Sequence, residues 1–271
     1  MTRDLTRRGL TAKLNLVKTL PITVTIIVLN EEKNISRCIG SVPFASEVIV
    51  LDCSSVDRTV EIAKSLGAKV FTETWKGFGP QKASATTKAS FDWILSLDAD
   101  ESVSPELRHE IETRFAGLDP QTGYLLPRKS FYLGRWILRG GWYPDYQKRL
   151  FHRAHSRWND AQIHEKVISP KEEKFQQALQ HYVFKNLEHQ VQTNNRYSGL
   201  LAQTLKKDGQ SFSFFKLLVK PISKFFETYF WKRGFLDGLP GLIISVSAGY
   251  SVFLKWAKLW EIETEVSKEL L

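Results

Sequence analysis

The chain has 271 residues, of which 42% are hydrophobic and 25% are charged, and its formal net charge is +9. This length and apolar content are sufficient for one large core, or for one core with a small appendage, and they exclude global disorder. The positive charge favours a phosphate-rich partner such as a nucleotide or an anionic membrane surface. We expect no nucleic acid as a partner, because the sequence has neither zinc-finger spacing nor a basic tract with regular base-stacking aromatics. Cys38 and Cys53 lie outside any CxxC motif and are expected to be reduced thiols in a cytosolic protein.

Residues 1–20 are expected to form a basic lead-in, without the unbroken apolar run of a signal peptide. Beyond them, the hydrophobic periodicity predicts strands and helices that alternate along the chain. The predicted strands are 22–29, 47–51, 69–72 and 93–97, and the predicted helices are 34–42, 58–66 and 81–89. This alternation with short links predicts an α/β fold with a mostly parallel sheet and helices on both faces.

Polar clusters follow three of the predicted strands. They are Asn30 with Glu31, then Asp52, and then Asp98 with Asp100. Because ligands of such sheets bind beyond the carboxyl ends of the strands, we expect the three clusters to converge on one crevice. Asp98 and Asp100 can share Mg²⁺ or Mn²⁺, which prefer oxygen ligands and bridge carboxylates to phosphates. The structural alternatives are an acidic helix start after Asp98 and an Asx turn at Asp52.

Two further motifs are candidates for chemistry. The glycine-rich turn 77–82 can bring backbone N–H groups and Lys82 to a diphosphate, although a surface lysine after a turn is the alternative. The turn does not match the P-loop pattern, so this motif does not indicate an ATPase. His164 and Glu165 can act as a base and the group that orients it, or they are an exposed polar pair on a loop. They are not part of an HExxH zinc signature.

The remaining chain changes in composition twice. Residues 123–168 are dense in Arg, Trp, Tyr and His, which suits a substrate-binding face rather than a core. From Lys206 to Lys258, nine basic and three acidic residues are interleaved with aromatics. This pattern predicts a helical segment that binds an anionic membrane surface. We expect it not to span the membrane, because Pro240, Gly241 and Gly249 interrupt its longest apolar run, 239–254. Packing on the catalytic domain is the alternative.

Three stretches carry a family resemblance: 25–32 (TIIVLNEE), 48–59 (VIVLDCSSVDRT) and 95–101 (LSLDADE). They resemble glycosyltransferase family two. The segments similar to the bacterial lipopolysaccharide-core β-glucosyltransferase branch are 77–82, 140–145, 148–151, 163–167 and 234–238. The resemblance extends, in order, from about residue 22 to 259. Two positions depart from the family pattern: Leu29 replaces an aromatic residue, and Cys53 stands where many members have Asp or Ser.

The resemblance implies a GT-A fold and an inverting transfer of a hexose, with glucose favoured, from a nucleotide-sugar donor such as a UDP-sugar. The implied acceptor is a bacterial surface glycan or a lipopolysaccharide-core glycolipid. We expect a catalytic domain at 21–205, with a donor half (21–122) and an acceptor half (123–205), and a helical C-terminal segment at 206–271. The expected location is cytoplasmic, on the inner face of the cytoplasmic membrane.

The resemblance also implies roles for individual residues. Asn30, Glu31 and Asp52 would surround the nucleoside, and Lys82 would approach the diphosphate. Asp98 and Asp100 would lie near the ribose and the metal, and Glu165 would deprotonate the acceptor hydroxyl. The expected acceptor or phosphate contacts are Trp142, Asp145, Lys148, Arg149 and His164.

Two other functions stay open at this point. A metal-dependent nucleotidyltransferase would have similar strands and acids, but it would leave His164 and Glu165 unexplained. A non-catalytic membrane adaptor on the same fold is disfavoured by the complete set of acids. Released nucleoside diphosphate indicates glycosyl transfer, whereas released pyrophosphate indicates the nucleotidyltransferase.

Overall fold

The computed structural model describes residues 19–159 and 165–269, with side chains as far as Thr264. Residues 1–18 of the predicted lead-in lie outside the described residues. The strands are β1 Leu20–Val28, β2 Ala45–Asp52, β3 Lys69–Thr72, β4 Trp93–Asp98, β5 Glu101–Val103, β6 Thr122–Tyr132, β7 Arg135–Ile137, β8 Asp145–His152, β9 Arg157–Trp158, β10 Val167–Ile168, β11 Lys171–Lys174 and β12 Leu179–His181. The α-helices are α1 Ile35–Gly40, α2 Thr59–Ser65, α3 Phe78–Thr87, α4 Pro105–Arg114, α5 Leu187–Lys207, α6 Phe214–Phe226 and α7 Gly238–Glu269.

The elements predicted for residues 22–97 are all present, most with ends shifted by one to three residues. The helix after the glycine-rich turn differs most, because α3 begins at Phe78 rather than at residue 81. Gly77 precedes it with a φ of +100°, a conformation that glycine adopts at no steric cost. Pro80 lies within the first turn, where the backbone N–H groups have no partner inside the helix, so the missing N–H of proline costs no hydrogen bond. The turn is therefore the start of the helix, and Lys82 lies inside the helix.

One mixed sheet organises the molecule, in the order β3-β2-β1-β4-β8-β6-β12-β5, with β7 and β11 also paired to β6. The strands β3, β2, β1 and β4 are parallel, as expected, whereas β8 runs antiparallel to both β4 and β6. Across the parallel strands Val28 is in register with Asp52, and Ile27 with Asp98. The polar residues that follow these strands therefore lie at one edge of the sheet.

The expectation that residues 123–168 form a face rather than a core is wrong for β6 and β8. Both strands lie in the middle of the sheet, and Tyr124, Leu126, Leu150 and Phe151 are fully buried. Successive side chains of a strand point to opposite faces of the sheet. Charged residues therefore alternate with core residues along these strands, and the average composition hides the apolar face.

The segment that begins at residue 206 is helical, as predicted, and contains α6 and α7, whereas α5 precedes it and lies almost wholly within the predicted catalytic domain. Pro240, Gly241 and Gly249 interrupt the apolar run in the sequence, but α7 continues through all three as one helix. Pro240 lies in the first turn, where proline is tolerated. Gly249 allows a close approach of α6, since a Cβ atom there would lie 2.9 Å from the carbonyl oxygen of Pro221.

Candidate active site

The loops that follow β1 and β2 are joined into one rim at the carboxyl edge of the sheet. Asn30 has a φ of +57°, a region in which Asn is enriched. Its amide oxygen accepts the N–H of Val56 at 2.9 Å, and its own N–H donates to Ser55 Oγ at 2.9 Å. The N–H of Glu31 donates to Thr59 Oγ1 at 2.7 Å. These bonds hold the two loops together beside the end of β4.

Asp52 forms the Asx turn that the sequence allowed. Its buried carboxylate accepts the N–H groups of Ser54 at 3.1 Å and of Ser55 at 3.2 Å. A carboxylate has about four lone-pair sites, so these bonds leave Asp52 with acceptor capacity. At the same edge, burial raises the pKa of Glu31, and the nearby carboxylate of Asp100 raises it further.

An ionic cluster joins the donor half to the acceptor half. The ammonium of Lys82, which is only 2% exposed, lies 2.8 Å from Asp98 Oδ1 and 2.7 Å from Glu165 Oε1. The guanidinium of the buried Arg149 bonds to Asp98 Oδ2, and it lies 2.7 Å from Glu101 Oε1. The cluster thus brings carboxylates from both halves to one lysine.

These contacts determine the charge state of Asp98. Burial alone would raise the pKa of its carboxyl, but Arg149 and Lys82 outweigh burial and hold the pKa well below its usual range. Burial would lower the pKa of Arg149, yet Asp98 and Glu101 raise it above its usual value. Asp98 is therefore an anion between two cations at neutral pH.

Two residues that complete the cluster, Glu101 and Arg128, were not among the predicted site residues. Glu101 is fully buried, and its Oε1 accepts from Arg149 and, at 3.2 Å, from Arg128. Its Oε2 accepts the N–H of Asp98 at 3.0 Å, which fixes the turn that carries Asp98 and Asp100. Arg128 also bonds to Asp145 Oδ2 at 2.6 Å. The position of Glu101 directly after the acidic motif was a usable signal, whereas Arg128 belongs to no recognised pattern.

Asp100 is the carboxylate that best fits a divalent cation. Its side chain is about a third exposed, and it lies 3.4 Å from His181 Nε2. Both oxygens of Asp98, by contrast, already contact cations. The described residues hold no group of three or more His, Cys, Asp or Glu that would form a metal site alone. This donor set suits Mg²⁺ or Mn²⁺, which are commonly held by one or two carboxylates together with substrate phosphates and water.

The other predicted contacts are distributed differently. Asp145 joins the cluster through Arg128. Lys148 points to the opposite face of β8 from Arg149, and its ammonium bonds to Ser169 at 2.8 Å and to Glu172 at 2.6 Å. Trp142 packs beside Tyr132 and Phe184 near the C-terminal helices. His164 lies outside the described residues.

Comparison with known families identifies the chain. The sequence model of "Glycosyl transferase family 2" matches residues 23–165, which is more than half of the chain. The chain belongs to this family. It is a glycosyltransferase, as the resemblance of its motifs implied, and its mixed sheet with flanking helices agrees with the GT-A fold expected for this family.

Relatives match nearly the whole chain. An uncharacterized glycosyltransferase of Rickettsia bellii is 35% identical, over 91% of this chain and 88% of that protein. The lipopolysaccharide core biosynthesis glycosyltransferase LpsC of Rhizobium meliloti is 27% identical, over 91% and 94% of the two chains.

Solved structures that match the chain include S. aureus TarS 1–349 in complex with UDP-GlcNAc. It is 12% identical and covers 92% of each chain, with a TM-score of 0.47. Glucosyl-3-phosphoglycerate synthase of Mycobacterium tuberculosis, in complex with Mn²⁺, UDP and glucosyl-3-phosphoglycerate, is 26% identical. It covers 43% of this chain and 45% of that chain, with a TM-score of 0.33.

Proposed function

We propose that this glycosyltransferase is an inverting, metal-dependent hexosyltransferase that uses a UDP-sugar donor, with Glu165 as the base. The observation that carries the proposal is the position of Lys82 between Asp98 and Glu165, at 2.8 and 2.7 Å. A lysine that touches the acidic motif of the donor half and a carboxylate of the acceptor half marks the point where donor and acceptor would meet.

On the donor side, the rim formed by Asn30 and Glu31, together with Asp52, would receive the nucleoside. Loss of the diphosphate from the anomeric carbon builds negative charge on the leaving oxygens. Lys82 and Arg149 are fixed cations that would stabilise this charge without reorganising. Asp100 would hold Mg²⁺ or Mn²⁺, which supplies further positive charge to the leaving diphosphate.

On the acceptor side, Glu165 would take the proton of the acceptor hydroxyl as that oxygen bonds to the anomeric carbon. The bond from the anomeric carbon to the diphosphate oxygen breaks at the same time, and its electron pair leaves with the nucleoside diphosphate. A single in-line displacement inverts the anomeric centre. Trp142 and Asp145 would contact the acceptor sugar, because Asp145 is the first residue of β8 and Trp142 lies in the segment just before it.

The acceptor that we propose is a bacterial surface glycan or a lipopolysaccharide-core glycolipid, and the sugar is glucose. The similarity to LpsC, named for lipopolysaccharide core biosynthesis, supports the acceptor class. The branch resemblance of the motifs at 77–82 and 140–145 supports glucose. We place the enzyme in the cytoplasm, on the inner face of the cytoplasmic membrane, where its C-terminal helices would meet the lipid.

The test is a screen of nucleotide sugars with and without Mg²⁺ or Mn²⁺, read first as a thermal shift. A donor at 100 times its dissociation constant stabilises the native state by about 2.7 kcal/mol. The stabilising donor is then incubated with acceptor, and the product is examined by NMR. We expect metal-dependent stabilisation, release of UDP and an inverted anomeric centre. Release of pyrophosphate would indicate a nucleotidyltransferase. Donor binding without turnover would indicate an adaptor, and a product with a retained anomeric centre would indicate a different mechanism.

A further inference from the structure

The C-terminal helices expose an unusually large apolar surface. Within the described part of the chain, no residue of α6 is buried. Phe214, Phe215 and Ile222 of this helix are 60–72% exposed, and Trp231 and Leu239 beyond it are 86% and 68% exposed. We call the exposed large apolar side chains of residues 214–253 the apolar face. Large exposed apolar patches are rare on soluble monomers, and many exposed apolar side chains in one segment indicate a contact with a membrane or another protein.

The charges around the apolar face favour a phospholipid surface. Residues 214–260 contain seven basic and two acidic side chains. Both acids are bonded within the protein: Glu227 contacts Lys232 at 2.6 Å, and Asp237 accepts the N–H of Arg139 at 2.8 Å. Arg233 is exposed beside Trp231. Aromatic and basic side chains together are typical of helices that lie in the interface of an anionic bilayer.

The lysines alone do not explain attachment, because several of them are held by the protein. The ammonium of Lys216 lies 4.9 Å from the centre of the Trp256 ring. Lys224 and Lys232 contact Glu227 at 3.1 and 2.6 Å. These three lysines belong to the basic set on which the sequence-based expectation of electrostatic binding rested. Burial of the apolar face would therefore contribute most of the affinity, with the charges in a supporting role.

Contacts of α7 with β6 and α5 argue against a helix that crosses the bilayer. The stretch Gly234–Thr264 is long and apolar enough to span a membrane by length and composition. However, Ile244 packs in a cluster with Tyr132, and Trp256 packs in a cluster with Ala202. A spanning helix would have to abandon these contacts along its length. The helix instead presents one face to the protein and the other outward, as a helix lying in the membrane plane does.

We propose that the apolar face inserts into the interface of a phospholipid bilayer as an in-plane anchor, with α6 and α7 parallel to the membrane. The anchor is joined to the acceptor half at two points. Asp237 accepts the N–H groups of Leu138 at 3.2 Å and Arg139 at 2.8 Å, and the carbonyl of Lys232 accepts the N–H of Gly140 at 2.9 Å. Insertion therefore holds the segment that leads to Asp145 close to the lipid. This consequence rests on the proposed function, in which the acceptor is a glycolipid.

Vesicle flotation of the full chain tests the anchor. We expect it to float with neutral phosphatidylcholine vesicles, and to stay bound at about 1 M NaCl, where the Debye length is only about 3 Å. The triple variant F215S/W231S/L239S should lower the partition coefficient by at least about 100-fold, since each buried large apolar side chain contributes on the order of tenfold. The control L66S removes an exposed apolar side chain from the end of α2 and should leave partitioning unchanged.

Several outcomes would overturn the anchor. Binding that requires anionic lipid and disappears in high salt would show electrostatic docking instead. If the protein forms stable dimers and does not bind vesicles, the apolar face contacts a second copy of the chain. A C-terminal tag protected from protease inside sealed vesicles would show a spanning helix. Turnover of the nucleotide sugar, measured without vesicles, separates the two proposals: turnover without flotation refutes only the anchor, and flotation without turnover refutes only the proposed function.

Discussion

Glu101→Gln is the substitution that most directly probes how the acidic motif is held. The carboxylate is fully buried and accepts from Arg128, from Arg149 and from the N–H of Asp98. In the variant one oxygen becomes an NH₂ group. If the NH₂ group faces Asp98, it meets the N–H of Asp98 and the two donors repel each other. If it faces Arg128 and Arg149, their guanidinium groups meet a donor in place of the carboxylate oxygen. Removing one partner of a buried ion pair costs about 3–5 kcal/mol, so we expect a loss of that size in the free energy of unfolding.

The assay is urea denaturation of the wild type and the variant, followed by calorimetric titration of the donor. Asp145→Asn is the matched control, because it also removes a charge that contacts Arg128 but from a side chain that is 38% exposed. Asp145→Asn should lower the free energy of unfolding by about 1 kcal/mol or less, because ion pairs near the surface contribute little. Glu101→Gln should also weaken donor binding, since the turn carrying Asp98 and Asp100 loses its support. If Glu101→Gln lowers the free energy of unfolding by less than about 1 kcal/mol, the buried carboxylate does not hold the acidic motif in place.

Three further predictions concern other parts of the chain. Burial opposes ionisation of Glu47, but hydrogen bonds from Lys69 and neighbouring groups lower its pKa from 4.5 to about 2. This carboxylate therefore stabilises the fold above pH 4.5, and about 3 kcal/mol is lost as the pH falls toward 2. Glu47→Gln should remove most of this pH dependence from the free energy of unfolding, measured by denaturation at several pH values. If the pH dependence is unchanged, other groups cause the loss of stability in acid. Asp100→Asn should keep the melting temperature and lose most transfer activity, and full activity in excess chelator would contradict metal dependence. Gly249→Ala should destabilise the fold by about 1–2 kcal/mol through contact with α6. Gly199→Ala, with more room, should stabilise it by up to about 1 kcal/mol, and equal melting temperatures would contradict the close approach.

The first half of the fold could be predicted because its signals are local. The β-branched run of β1 and the stop at Gly67 determine their elements without distant contacts. The polar residues after β1, β2 and β4 meet at one edge because parallel strands end on the same side of a sheet. The family motifs then added the expected roles of these residues.

The second half depends on contacts that no short window of sequence contains. Arg128 reaches Glu101 across 27 positions, and Lys82 reaches Glu165 across 83. Nothing near Lys82 in the sequence indicates a buried ion pair, and a surface position was a reasonable alternative. In the sequence Gly249 is only an interruption of an apolar run, and only the position of α6 shows that it permits close packing.

The role of Glu165 as the base is tested by comparing the kinetics of Glu165→Gln with those of the wild type, together with the dissociation constant of the UDP-sugar. The amide keeps the shape of the side chain and can still accept from Lys82, but it cannot take a proton. We predict an unchanged donor dissociation constant and a kcat lowered by about two orders of magnitude or more. If kcat survives while donor affinity falls, Glu165 is not the base, and Asp145 becomes the next candidate.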